Sequence, residues 1–165
     1  MIAVKNILVA TDFGEAADSA LAYGRELATR FDGTLHVLNV VENLFAGPFA
    51  AEAYSVLVPE MQKEVEAAAR QRLHELLIDS DGTGPRTTSA IITSGSPAYT
   101  IVEYAREHAI DLIVMGTHGR GALAHVVMGS VAERVVRLAS CPVLTVRHPE
   151  HEFVRPDALT VSARA

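Results

Sequence analysis

The sequence predicts an α/β fold: one domain built on a doubly wound parallel sheet of five strands, with helices on both faces. Three observations point to it. Short, mainly apolar runs recur along the chain, NILVA among them suited to a strand buried on both faces. Between them lie longer stretches with apolar residues at helical period. Strand and helix alternate throughout, so right-handed crossovers lay the strands parallel and send helices to both faces.

The first run, NILVA (Asn6–Ala10), is a strand. After TDFGE, a helix places Ala17, Ala20, Leu21, Gly24, Leu27, Ala28 and Phe31 on one face, and Asp32-Gly33 stops it. TLHVLNVV (Thr34–Val41) is the second strand. A second helix runs from about Pro59 to Ile78. Its predicted inner side is Met61, Val65, Ala68, Ala69, Leu73 and Leu76–Leu77, with Glu64, Glu66, Arg70, Arg72 and Glu75 on a solvated face. SDGTG is loop, and Arg86–Gly95 is a third strand. Ser96-Pro97 opens the third helix with a cap and a proline at its first position; Ile101, Val102 and Ala105 follow at core spacing. DLIVMG is the fourth strand, Ser130–Ala139 the last helix and Pro142–Arg147 the fifth strand. Two segments stand outside the alternation. Glu42–Val58 is too long for an ordinary connection and has the length of a lid or binding loop. The tail HPEHEFVRPDALTVSARA has little periodicity and reads as an extension.

Composition narrows the function. At 165 residues the chain is long enough to bury a core without disulfides or metals. A net charge of −6 argues against coating nucleic acid or an anionic membrane, so an anion would be held locally by backbone amides. No apolar run approaches the roughly 20 residues of a membrane span. The opening MIAVKNILVATD turns polar too soon for a signal peptide. A single cysteine, Cys141, suits a reducing cytoplasm; with no partner histidine evident it reads as a small buried residue. His125, His148 and His151 lie on separate segments without metal-ligand spacing and read as surface residues.

The chemistry is expected at the carboxyl ends of the strands, where doubly wound folds bind ligands. There the stretch VMGTHGRGALAHVVMGSVAERV sets Gly116, Gly119, Gly121 and Gly129 just ahead of a helix. Gly116 ends a buried strand, which calls for positive φ or close backbone approach. Gly119 and Gly121 leave amides uncovered, as in an anion nest. Gly129-Ser130 precedes a helix N-terminus that attracts phosphate. Ser130 also matches a capping box with Glu133, a role compatible with facing a phosphate. No G-x-x-x-x-G-K-[ST] occurs. GRGALA mimics a dinucleotide fingerprint but follows the fourth strand and lacks the acidic ribose partner about twenty residues on.

The spacing Gly116-x2-Gly119-x9-Gly129-Ser130, with ILVATDF, GSP, DLIVMGTHGR and CPVLTVR, resembles the universal stress protein family, specifically its ATP-binding branch. The resemblance covers about residues 3–147, making residues 1–148 the nucleotide-binding domain and 149–165 the tail. It implies strand order 3-2-1-4-5 and a homodimer joined along the last strand. It further implies that Gly116 and Gly119 approach ribose and phosphates, while Gly129, Ser130 and the Val131 amide hold the phosphate tail. Asp12 would contact adenosine, second-strand backbone at Val40 the adenine, and Met115 would pack near the base. His118 and Arg120 stand where they reach phosphates. Gly14, where members often have serine, weakens the cap of the first helix, and Ala10 replaces a proline of some nucleotide-binding members.

Two classes of function follow. One is an ATP-binding regulatory module of the stress response, acting through an unidentified protein partner, with at most slow hydrolysis and with Mg2+ accompanying the nucleotide. The other is an ATP-using enzyme, an ATPase or adenylating protein; AMP or a cyclic nucleotide are alternative ligands. Hydrolysis needs a positioned base and charge stabilisation at the γ-phosphate. The glycine stretch has no lysine, and Asp12 is the one clear carboxylate at this end. Binding is therefore the favoured reading, with no catalytic residue assigned and neither nucleic acid nor membrane as partner.

Overall fold

Five strands form one parallel sheet in the computed structural model of the chain, which describes residues 3–43, 57–78, 84–119 and 128–148. In chain order the elements are β1 (Asn6–Thr11), α1 (Glu15–Arg30), β2 (Thr34–Glu42), α2 (Leu57–Ile78) and β3 (Arg86–Ser94). They continue with α3 (Pro97–Glu107), β4 (Leu112–Gly116), α4 (Ser130–Leu138) and β5 (Val143–Val146). The sheet order is β3-β2-β1-β4-β5, every pair parallel, as the resemblance implied. Most of the Glu42–Val58 connection, Gly121 and the tail from 149 onward lie outside the described residues.

Strand alternation splits the core in two. Leu8, Leu38, Ile113 and Met115 face α3 and α4, meeting Ile101, Tyr104, Ala132 and Val135. Ile7, Val9, Leu35, Val37 and Val114 face α1 and α2, meeting Ala20, Leu21, Ala28 and Leu73. The central strands are sealed on both faces, which is why β1 and β4 read as short apolar runs and β2 as one broken only by His36 and Asn39.

The structure corrects three local expectations. On α2 the inner face is turned by one residue in its first half: Gln62, Ala69 and Leu73 are buried, while Met61 is 52% and Val65 42% exposed. A polar contact sets that rotation, because Thr93 Oγ1 on β3 donates to Glu66 Oε1 at 2.7 Å. Glu66 therefore turns away from the solvated face, while Arg72 stays exposed on it with its guanidinium 5.2 Å from the Phe13 ring centre. Phe31 caps α1 and is 42% exposed rather than inward. Ser96 stands at the N-cap of α3 with Pro97 inside, yet no side chain closes that cap; Ser96 N–H donates to Ser94 Oγ at 3.1 Å.

A histidine the periodicity did not single out lies in the core. His36, 8% exposed on β2, is hydrogen-bonded through Nδ1 to the Tyr104 hydroxyl at 3.1 Å. Tyr104 stacks on His108 at 3.8 Å between ring centres, and the His36 and His108 rings meet edge-on at 5.8 Å. Burial, and then the charge of His108, hold the His36 pKa below its ordinary value. Above about pH 6.5 the ring is neutral folded or unfolded, and its contribution to stability is intact. As the pH falls through that value, the unfolded chain takes up a proton that folded His36 refuses. Stability declines until the folded pKa is passed. The urea midpoint of wild type should therefore drop more between about pH 7.5 and 5.5 than that of His36→Gln. Parallel pH profiles would show that His36 is not the group responsible.

Candidate functional site

The chain leaves β1 towards α1 on one face and leaves β4 towards α4 on the other, although β1 and β4 are neighbours in the sheet. Their carboxyl ends diverge, and a cavity of about 460 Å3 opens between them. Val40 and Leu38 of β2, Met115 of β4, and Pro97 and Ile101 of α3 make an apolar wall. Asp12, Thr117, His118, Gly119 and Ser130 make the polar side.

The turn after β1 is fixed by its own side chains. Phe13 N–H donates to Thr11 Oγ1 and Gly14 N–H to Asp12 Oδ1, both at 3.0 Å, with Phe13 at φ 63°. Gly14 then serves as N-cap of α1 with no side-chain bond, as expected of glycine in a serine's place. Asp12 is thus a turn residue and a cavity residue at once.

Beyond β4, Thr117 is tied at both ends. Its N–H donates to the Val146 carbonyl of β5 and its carbonyl accepts from Gly129 N–H, both at 2.7 Å. His118 lies beside it, Nδ1 at 3.0 Å from Thr117 Oγ1. Glu133 N–H donates to the Gly129 carbonyl at 2.9 Å, so Gly129 is the N-cap of α4 and Ser130 the first helical residue. The expected capping box does not form: no side chain closes this cap, and Glu133 pairs with Arg137 at 2.8 Å. Ser130 is left facing the cavity.

The glycines prove to serve packing as well as the cavity. A Cβ on Gly116 would stand 2.8 Å from Ala16 Cβ and 3.0 Å from its backbone carbon, so the bare residue lets α1 start against the end of β4. On Gly119 it would meet Asp12 Oδ2 at 3.0 Å. On Gly129, which has an ordinary φ of −71°, it would lie 3.3 Å from the Thr117 carbonyl oxygen. Positive φ is required at none of the three; Gly116 and Gly129 answer to close backbone approach and Gly119 to the Asp12 side chain.

Asp12, Val40, Met115, Gly116, His118, Gly119, Gly129, Ser130 and Val131 all line this one cavity, and Arg120 lies outside the described residues. The sequence reading missed Thr11, Thr117, Leu38, Pro97 and Ile101. A signal existed for Pro97, which opens a helix at the ligand end of the sheet. Thr117 is an unspecified position of the glycine motif, and Leu38 and Ile101 look like any core residue. Away from the cavity, His148 lies 3.5 Å from Glu15 and 3.3 Å from Ser19. Burial, foremost, pushes the Cys141 thiol up, which suppresses its thiolate.

Known proteins share this fold. The sequence model of the Universal stress protein family matches residues 3–147. The chain belongs to that family. Universal stress protein MJ0531 of Methanocaldococcus jannaschii is 34% identical over 151 residues, covering 90% of this chain and 85% of its own. Among solved structures, universal stress protein UspA from Lactobacillus plantarum is 30% identical with TM-score 0.69, covering 89% of this chain and all of its own. Two more distant neighbours share the fold at 21% identity. One is a universal stress protein in complex with cAMP (TM-score 0.65, 88% of this chain and 98% of its own). The other is the Archaeoglobus fulgidus protein in complex with dAMP (TM-score 0.62, 88% and 99%).

The two roles of the glycines separate by substitution. Gly116→Ala drives a carbon into Ala16 and should cost about 1–3 kcal/mol in urea unfolding. Gly119→Ala meets only the end of the Asp12 side chain and should unfold near the wild-type midpoint. Equal losses would mean that both glycines serve the fold in the same way.

Proposed function

We propose that this chain binds an adenine nucleotide between the ends of β1 and β4 and acts as a nucleotide-dependent regulatory module of the stress response. The observation that carries the reading is a single joint. The backbone of Thr117–Gly119 lies against Gly129 at the open start of α4, next to the apolar wall of Val40 and Met115. Amides at a helix start with little side-chain cover suit phosphate. Aliphatic side chains with a few polar groups suit a flat base.

In this reading Asp12 contacts the adenosine part, Val40 offers backbone to adenine, and Met115 packs near the base. Gly116 and Gly119 approach ribose and phosphates, and Gly129, Ser130 and the Val131 amide hold the phosphate tail. His118 and Arg120 reach the phosphates. The dAMP and cAMP complexes of its neighbours support an adenine nucleotide as ligand. The glycine spacing supports ATP, with Mg2+ offsetting the triphosphate charge. A stretch without lysine supports binding with at most slow hydrolysis.

Mass spectrometry of ligand released from the purified protein identifies the nucleotide, and calorimetric titration ranks Mg-ATP, AMP and cAMP. Ser130→Ala should weaken ATP roughly ten- to a hundred-fold, the loss of one hydrogen bond to a charged group. Because Gly129 and not Ser130 caps α4, the unfolding midpoint should hold. This variant is cleaner than Gly129→Val, whose side chain meets the Thr117 carbonyl before any ligand. Undiminished ATP affinity in Ser130→Ala would remove the phosphate tail from the start of α4.

We further propose a homodimer along β5. That strand is an edge of the sheet, its Val143 and Leu144 are only half-buried, and Val136 and Leu138 of α4 are 46% and 42% exposed. An apolar edge left bare invites pairing. Light scattering at micromolar concentration should give twice the chain mass; a monomer would rule the dimer out.

A further inference from the structure

Asp12 enters the cavity on a turn that is anchored from outside it. Asn39 stands near the end of β2 and is 5% exposed. By strand alternation it faces the α1 and α2 side, away from Leu38 and Val40. Its Nδ2 donates to the Thr11 carbonyl at 2.8 Å in a buried setting. Thr11 is the last residue of β1 and the register partner of Asn39. The bond therefore fixes a carbonyl where the strand gives way to the turn, and a buried carbonyl does not stay unpaired without cost.

Each link then holds the next. Thr11 Oγ1 takes the Phe13 N–H and Asp12 Oδ1 takes the Gly14 N–H. Phe13 sits at φ 63°, a left-handed conformation that costs free energy for a bulky side chain and persists only where its surroundings impose it. Its ring packs against the core on the α1 side, with Arg72 5.2 Å from the ring centre. The strained residue is thus held at its side chain by the core and at its preceding strand end by Asn39. The Asp12 carboxylate, one position earlier, lies opposite Gly119, with Oδ2 3.0 Å from where a Cβ there would stand.

We propose that Asn39 is a positioning residue for the nucleotide site: by anchoring the Thr11 carbonyl it sets where the Asp12 carboxylate stands. The inference rests on the reading of the cavity as an adenine-nucleotide site in which Asp12 contacts the ligand. Asn39 does not line the cavity, and the Asp12→Ala background separates its action through the turn from an effect on its neighbours Leu38 and Val40, which do.

A double-mutant cycle on the full chain tests this, with Mg-ATP and AMP titrated calorimetrically into wild type, Asn39→Leu, Asp12→Ala and the double variant. Asn39→Leu should weaken binding about tenfold, the size of one buried hydrogen bond. In the Asp12→Ala background the same change should cost less than about threefold, because the group it positions is gone. Asn39→Ala, which leaves room for a water on the Thr11 carbonyl, replaces Asn39→Leu if that variant does not fold. Full additivity, or wild-type affinity in a folded Asn39 variant, overturns the role of Asn39 while leaving the nucleotide site standing. Failure of wild type to bind either nucleotide overturns the site reading and this inference together.

Discussion

Two neighbouring strands whose chains must leave in opposite directions govern this molecule. β1 feeds a helix on one face and β4 a helix on the other, and parallel pairing holds their bodies together up to Ala10 and Met115. Past that point the sheet cannot close, and the gap becomes the cavity. The fit of α1 against β4 depends on the same geometry, since the first turn of α1 crosses directly over Gly116. Removing side chains from the crossing point is what lets both helices start at the sheet's edge without filling the space between them.

Polar groups in the core are concentrated where this divergence leaves backbone unpaired. Thr11 and Asn39 close the end of β1, and Thr117 joins the end of β4 to β5 and to the cap of α4. At the opposite end of the sheet Asp111 Oδ2 accepts the N–H groups of Lys5 and Asn6, at 2.7 and 2.9 Å. Each such bond adds only modest net stability when made, whereas a buried group left without one costs much. The side chains at these positions therefore act on the geometry of the backbone more than on its total stability.

The strands and the order of elements were legible because strands sealed on both faces leave mainly apolar residues to read. The inner face of α2 was not, since Glu66 turns inward to Thr93, a contact between residues 27 apart that no local period encodes. The glycine spacing located the cavity, yet the reason for Gly116 was hidden in Ala16, a hundred residues earlier and unremarkable in itself. Ser130 matched a capping box in sequence, while the backbone placed the cap one residue sooner, at Gly129. Asn39 gave no signal at all: its importance lies in a bond across two strands. Arg120 stays a sequence reading, outside the described residues.

The doubly bonded residue Thr117 has a mechanical consequence. Its N–H grips the edge strand and its carbonyl grips the amide that begins α4, so two peptide planes hinged at one Cα join the sheet's rim to the helix start. Each plane is held at its outer end by one of these bonds, which limits rotation about the Thr117 φ and ψ between them. Whatever docks on the rim and displaces β5 therefore does work on the helix start, and whatever settles at the helix start does equal work on the rim, because coupling of this kind runs both ways. The distance over which such a message travels is a single residue.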